Sequence, residues 1–113
     1  MIKIKRILLP TDFSDCAKHA MKYALDFAVE RKAKLYILHV IQELSIPAGT
    51  EEVMYPVAQI YEDMEREAKK NIHRLVPKRF KEKVRVENII IRGTPYLEII
   101  KAAKKYDIDL ITI

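Results

Sequence analysis

Cysteine, glycine and tryptophan are scarce in this sequence of 113 residues, which has one Cys, two Gly and no Trp. A single cysteine, Cys16, excludes an internal disulfide, and no Cys or His spacing is typical of a metal site. Since Gly49 and Gly93 are the only glycines, the chain contains neither a G-x-G-x-x-G dinucleotide motif nor a Walker phosphate loop. These absences predict a protein of a reducing compartment, without a structural metal or a glycine-rich phosphate loop.

Long apolar runs are also absent. The run from Ile7 to Pro10 is far too short to span a bilayer, and the basic start Met1 to Arg6 leads into no signal-peptide core. A chain of this length, 50% hydrophobic and 33% charged, suits one globular domain that buries roughly two-thirds of the surface of its unfolded form. We therefore expect a single soluble, cytoplasmic domain over residues 1–113, with no membrane partner.

The charge balance is basic, with 21 Lys and Arg against 16 Asp and Glu and a formal net charge of +5. Bases dominate between Lys69 and Arg85, whereas acids dominate between Glu51 and Glu67. If these residues form a helix, acids near its start and bases near its end complement the helix dipole. The basic segment supports at most a non-specific, salt-sensitive attraction, so we expect no specific nucleic-acid partner.

Apolar residues alternate along the chain between the spacing of a strand and that of a helix. The first predicted strand ends at Pro10, and the other three span Leu35 to Ile41, Val84 to Ile91 and Leu110 to Ile113. The predicted helices cover Ala17 to Ala28, Val57 to Leu75 and the residues from Pro95 onward. Residues 42–56 interrupt this pattern and are interpreted as an ordered loop, with a lid or partner surface as the alternative. The alternation indicates an α/β fold: an open parallel sheet with right-handed crossovers and helices on both faces.

Local signals mark the helix starts. Ser14 is predicted to cap the first helix and Thr94, which precedes Pro95, to cap the last.

Cys16 is expected to fill a small space in the core rather than act as a nucleophile. The buried stripe of the last helix is expected to comprise Tyr96, Ile99, Ile100 and Ala103.

The polar residue best placed for binding is Asp12. Ligands of open parallel sheets bind beyond the carboxyl ends of the strands, where the strand order reverses, and Asp12 follows the first predicted strand. Its carboxylate could accept a hydrogen bond from a ribose hydroxyl, a base amine or a metal-bound water; alternatively it caps the helix beside Ser14. His39, within an apolar strand, is interpreted as a hydrogen-bonded core imidazole and His73 as a solvated side chain.

Several short motifs, in order and spacing, resemble the universal stress protein (UspA-like) family. They are Ile7 to Ser14 (ILLPTDFS), the Ala-rich first helix, Leu38-His39-Val40, Gly93-Thr94-Pro95 followed by Ile99-Ile100, and Asp107 to Ile111 (DIDLI). The resemblance covers all 113 residues and implies a flavodoxin-like, Rossmann-like sheet of strand order 3-2-1-4-5. Because the sequence stops before the family's last helix and fifth strand, we expect it to be part of a longer protein.

The resemblance also implies a function, which is ATP binding at the switch point between the first and fourth strands. By that resemblance Pro10, Thr11 and Asp12 line the adenine and ribose pocket, Val40 contacts adenine and Gly93 shapes the neighbouring turn. No catalytic residue and no metal ligand of this chain is implied, and Mg²⁺ would accompany ATP only through a phosphate loop that this sequence lacks.

Two functions follow as expectations. The first is a stress-response regulatory module that binds an adenine nucleotide and acts through occupancy and protein contacts rather than catalysis, with at most a weak ATPase activity in a full-length form. A homodimer and an unknown protein partner are expected with it. The alternative is a scaffold of the same family that binds no nucleotide and acts through dimerisation or partner docking.

Overall fold

The structure is an open sheet of parallel strands with helices packed on both faces. The computed structural model describes residues 3–43 and 56–113. Its strands are β1 (Arg6–Pro10), β2 (Lys34–Gln42), β3 (Val86–Gly93) and β4 (Leu110–Ile111), and its helices are α1 (Asp15–Arg31), α2 (Val57–Leu75), α3 (Lys78–Lys81) and α4 (Pro95–Lys105). The sheet order is β3-β2-β1-β4, which confirms the predicted α/β alternation and the first four positions of the predicted strand order.

The strand pairing places β1 in the middle of the sheet. Leu8 lies opposite Tyr36 of β2 on one side and opposite Ile111 of β4 on the other. The β2–β3 ladder continues to the carboxyl end, where Gln42 pairs with Gly93. Because the chain runs from β1 through β2 to β3 in one direction and then returns to the far side of β1, the strand order reverses between β1 and β4.

The core is divided between the two faces of the sheet. Ile7 and Leu9 point to one face, where they pack with residues of α1 and α2, and Leu8 points to the other, where it packs with Ala102 of α4. All three β1 residues are fully buried. The continuous apolar end of β1 thus reflects burial on both faces, as its sequence predicts.

Boundaries differ from the predictions where local periodicity is weak. β3 begins at Val86 and ends at Gly93, later at both ends than the predicted strand, and β4 ends at Ile111 rather than Ile113. The four-residue helix α3 was not predicted, because it is too short to show a helical period. The loop or lid hypothesis for residues 42–56 falls mainly on residues 44–55, which lie outside the described residues.

The helix starts agree with the sequence in position. Ser14 is the N-cap of α1, and its Oγ accepts a hydrogen bond of 3.1 Å from the Ala17 backbone N–H. Thr94 is the N-cap of α4 and Pro95 follows at the first turn, but the Thr94 hydroxyl makes no capping hydrogen bond. Ser14 therefore caps its helix as predicted, whereas Thr94 occupies the position without making the bond.

The orientation of α4 differs from the prediction. Glu98 and Ala102 are the buried residues of this helix, whereas Tyr96 is 65% and Ile100 50% exposed. The predicted buried stripe is therefore wrong for Tyr96 and Ile100, although Ile99 and Ala103 are partly buried. The Glu98 side chain lies in the space beside Gly93 that a Cβ would otherwise fill, so the glycine leaves room for this inward-facing carboxylate.

Candidate functional site

A cavity of about 500 Å³ lies at the carboxyl end of the sheet, at the switch point between β1 and β4. Pro10, Thr11 and Asp12 line it from the end of β1, and Val40 lines it from β2. The remaining lining includes Leu38 and Gln42 of β2, Ser14, Cys16, Ala17 and Ala20 at the start of α1, Pro95 of α4, and Ile113. Its volume falls in the range of roughly 300–1,000 Å³ that is typical of small-molecule sites.

The turn between β1 and α1 is held by its own side chains. Asp12 Oδ1 accepts a hydrogen bond of 2.9 Å from the Ser14 backbone N–H. Hydrogen bonding from the Ser14 hydroxyl and from this N–H lowers the pKa of the Asp12 carboxyl below its ordinary value. Asp12 is thus an exposed carboxylate, anionic at neutral pH, that braces the turn before α1 and lines the cavity, whereas the helix itself is capped by Ser14.

The same turn is tied to β2. The Thr11 backbone N–H donates to the Leu38 carbonyl over 2.8 Å, and the Thr11 carbonyl lies 2.8 Å from His39 Nδ1. Thr11 Oγ1 accepts from the backbone N–H of Phe13, which has a positive φ of 64°. The Phe13 ring packs on the His39 ring with centroids 4.4 Å apart. The predicted hydrogen bond of His39 is therefore confirmed, but the imidazole is half-buried rather than in the core, and it ties the turn to β2.

Gly93 lies near the cavity but does not line it. It ends β3 opposite Gln42, which does line the cavity. Its φ is +158°, and a Cβ built on it would lie 2.7 Å from Glu98 Oε1. Glu98 is 9% exposed and pairs with Lys101 at 3.4 Å. Gly93 therefore makes room for a buried carboxylate, while the other four predicted site residues lie together around the cavity.

Cys16 departs from the prediction. It is an exposed free thiol that lines the cavity, so the expectation that it fills a core space is wrong. Cys16 continues the stripe of Ala20, Ala24 and Ala28 at helical spacing, but only the later members of that stripe lie over the sheet and are buried. The first turn of α1 extends past the end of β1, where the same face of the helix meets the cavity instead of the core.

The cavity presents apolar groups and one carboxylate to a ligand. Within residues 3–43 and 56–113, no group of three or more His, Cys, Asp or Glu side chains is placed to hold a metal ion. In the same part of the chain, no helix is long and apolar enough to cross a membrane. The wall of Pro10, Leu38 and Val40 suits a flat apolar group, and the Asp12 carboxylate accepts hydrogen bonds from hydroxyl or amine donors.

The sequence and the fold both match known proteins. The model of the Universal stress protein family matches residues 3–113. The chain belongs to this family. Universal stress protein MJ0577 of Methanocaldococcus jannaschii is 28% identical to it, over 97% of this chain and 75% of the relative. Universal stress protein YxiE of Bacillus subtilis is 29% identical, over 96% of this chain and 76% of its own length.

Solved structures of the universal stress protein family have the same fold. Universal stress protein UspA from Lactobacillus plantarum superposes with a TM-score of 0.81 at 26% identity, covering 99% of this chain and 77% of that one. A universal stress protein solved in complex with cAMP superposes with a TM-score of 0.58 at 21% identity, over 97% of this chain and 71% of its own. The flavodoxin-like fold that the sequence motifs implied is therefore confirmed.

Proposed function

We propose that this universal stress protein domain binds an adenine nucleotide in the cavity between β1 and β4 and acts through its occupancy. The observation that carries the proposal is the convergence of Pro10, Thr11, Asp12 and Val40 on one cavity at the switch point of the sheet. Adenine is flat and largely apolar on its faces, which suits Val40 and Pro10. Asp12 is an anionic acceptor for a ribose hydroxyl or the adenine amine.

The family supports the same class of ligand. A universal stress protein solved with cAMP carries an adenine nucleotide, and cAMP has a base and a ribose in common with ATP. We assign the base and ribose of ATP, rather than its phosphates, to the residues of this cavity. A Mg²⁺ ion, if it accompanies ATP, is expected to bind through the phosphates.

Regulation rather than turnover is the expected consequence of binding. The residues that we assign to the ligand, Pro10, Asp12 and Val40, are matched to its base and ribose rather than to its phosphates. We therefore propose that nucleotide occupancy changes the contacts of the protein with a partner. A cytoplasmic location and a homodimeric state remain predictions that accompany this proposal.

Titration calorimetry with ATP–Mg²⁺, AMP and adenosine tests the proposal. We expect ATP and AMP to bind, and Asp12→Ala to weaken the binding of both by about tenfold, since hydrogen bonds to charged groups are among the stronger ones. Ala20→Leu, which adds volume to the wall of the cavity, should weaken all three ligands. Each effect is measured as the ratio of the variant Kd to the wild-type Kd.

Matched controls separate the site from its surroundings. Asp15→Ala removes another exposed carboxylate at the start of α1, outside the cavity lining, and Ala58→Leu enlarges an exposed position of α2. Both controls should leave the Kd within about twofold of wild type. No heat with any of the three ligands, or an equal loss in Asp12→Ala and Asp15→Ala, would contradict the proposal.

A scaffold that binds no nucleotide is the second candidate. An exposed apolar set on α4, formed by Tyr96, Leu97 and Ile100, favours it, because large apolar side chains clustered at a surface mark association sites. Sedimentation velocity distinguishes the two functions. A concentration-dependent dimer that Ile100→Lys disrupts, in a protein that binds no nucleotide, would favour the scaffold.

A further inference from the structure

A second concave surface lies on the face of the sheet that is covered by α1 and α2, and it shares no lining residue with the cavity at the switch point. It is a groove of about 450 Å³ between α1 and the corner where α2 leads into α3. Its floor is apolar, with Met21 and Leu25 of α1 facing Leu75 and Phe80. Met21 and Leu25 are buried in the core, whereas Leu75 and Phe80 are only partly buried and present apolar surface to the groove.

The rim of this groove is basic. Lys18 and Lys22 line it from α1, and Arg74 and Arg79 line it from the opposite wall; all four are exposed. Asp26 is the one acidic residue of the lining. None of these four cations takes part in the ion pairs found among residues 3–43 and 56–113. The charges are therefore available to a partner from both sides of an apolar floor.

We propose that this basic-rimmed groove binds an acidic amphipathic helix of a protein partner. Such a helix presents apolar residues at i, i+3, i+4 and i+7, which fit the floor, and carries Asp and Glu on either side, which face the two rows of cations. Long-range attraction between the opposite charges would speed the encounter, and burial of the apolar anchors would hold the complex. The groove and the nucleotide cavity use different residues, so this proposal does not depend on nucleotide binding.

The groove fits a peptide better than a nucleic acid. Its floor contains one aromatic ring, Phe80, beside Met21, Leu25 and Leu75, whereas single-stranded nucleic acids bind on several exposed aromatic side chains. The aromatic ring in the lining, Phe80, is partly buried against the core and is covered by the Arg79 guanidinium, 5.0 Å from the ring centroid. A base therefore has no free ring face on which to stack.

Fluorescence anisotropy with a labelled peptide tests the proposal on the whole chain. The probe is a peptide of about 15 residues with Leu at helical anchor spacing and Glu at the flanking positions. A peptide of the same composition, scrambled so that Leu does not fall on one face, is the control ligand, and single-stranded oligouridylate is the competing class. At physiological ionic strength we expect the amphipathic peptide to bind more tightly than either.

Two charge-reversal variants decide where it binds. Lys22→Glu with Arg74→Glu reverses one cation on each wall, and we expect the peptide Kd to rise by about tenfold. Lys69→Glu with Lys70→Glu changes the net charge by the same amount at exposed positions of α2 outside the groove. This control should change the Kd by less than about twofold. Because all four positions are exposed, we expect both variants to fold.

Several outcomes would overturn the inference. Equal loss of affinity in the two variants means that the peptide responds to overall charge rather than to the groove. Equal affinity for the ordered and the scrambled peptide means that the apolar floor plays no part. Tighter binding of the oligouridylate, lost in Lys22→Glu with Arg74→Glu, assigns the groove to nucleic acid instead. Absence of binding by every ligand removes the docking site altogether.

Discussion

His39 and Thr11 connect the binding turn to the neighbouring strand. His39 Nδ1 lies 2.8 Å from the Thr11 carbonyl oxygen, and since a carbonyl can only accept, Nδ1 carries the proton and donates. The backbone N–H of Thr11 donates in turn to Leu38, the residue before His39. Both polar backbone groups of Thr11 are thus satisfied by β2, the strand that also contributes Val40 to the cavity.

Replacing His39 should loosen this connection. His39→Leu leaves the Thr11 carbonyl without its donor, and we expect the free energy of unfolding to fall by about 1–3 kcal/mol. His39→Asn places an amide N–H near the position of Nδ1 and should recover part of that loss. Urea unfolding measures both. His73→Leu, at an exposed position, is the control and should change the free energy of unfolding by less than about 0.5 kcal/mol. A change in His39→Leu as small as that of this control would contradict the prediction.

Gly93 and Glu98 should show a coupled effect on stability. Gly93→Ala forces a Cβ to within 2.7 Å of Glu98 Oε1 at a φ of +158°, so we expect a loss of about 1–3 kcal/mol. Glu98→Ala removes the obstructing atoms but not the backbone strain. The double variant should therefore lose less than the sum of the two single variants, as measured in a double-mutant cycle.

The neighbouring residue Thr94 supplies the control for that cycle. Its hydroxyl makes no capping hydrogen bond, so Thr94→Ala should have little effect on stability. Strict additivity of Gly93→Ala and Glu98→Ala would show that the two side chains do not compete for the same space, and the account of the inward-facing Glu98 would then be wrong.

The fold was predictable because its signals are local. The continuous apolar end of β1 requires burial on both faces, and the alternation of strands with helices then requires a parallel sheet. The rotation of α4 was not predictable in this way. Tyr96, Leu97 and Ile100 spread apolar character around much of the helix, and the space beside Gly93 that the Glu98 side chain occupies is not visible in the periodicity of α4.

The candidate site was predictable to the extent that strand ends define it. Asp12 follows the first predicted strand and Val40 lies one residue before the end of the second, and parallel strands bring their carboxyl ends to one edge. Cys16 was assigned to the core because a free cysteine usually behaves as a small buried apolar side chain. Spacing alone does not tell where the sheet beneath a helix stops, so the cavity-lining role of the first turn of α1 needed the three-dimensional structure.

Asp109 should make stability depend on pH in the acid range. Its Oδ2 accepts hydrogen bonds from the Lys5 and Arg6 backbone N–H groups at 2.8 and 3.0 Å, and these bonds lower the pKa of Asp109 below its ordinary value of 3.8. A pKa that is lower in the folded state stabilises the fold above the unfolded value, and this contribution is lost as the pH falls through the folded value.

We therefore expect Asp109→Asn to be less stable than wild type at pH 7 and the difference to narrow as the pH falls below about 4. Thermal unfolding across this pH range measures the difference in Tm between the two proteins. Glu62→Gln removes an exposed carboxylate of α2 and is the matched control, with stability close to wild type at pH 7. A difference in Tm between wild type and Asp109→Asn that stays constant or widens in acid would contradict the lowered pKa of Asp109.

The exposed thiol of Cys16 supplies a direct probe of the cavity. Since Cys16 is exposed and lines the cavity, a disulfide reagent should label the native protein with one thiol per chain, and Cys16→Ala should abolish the reaction. If an adenine nucleotide occupies the cavity, AMP at a concentration that just saturates the wild type should slow labelling of Cys16. The same concentration should slow labelling of Ala20→Leu much less, because this variant binds AMP more weakly. A thiol that reacts only after unfolding would contradict the position of Cys16. Labelling at the same rate with and without a nucleotide known to bind would place that nucleotide elsewhere.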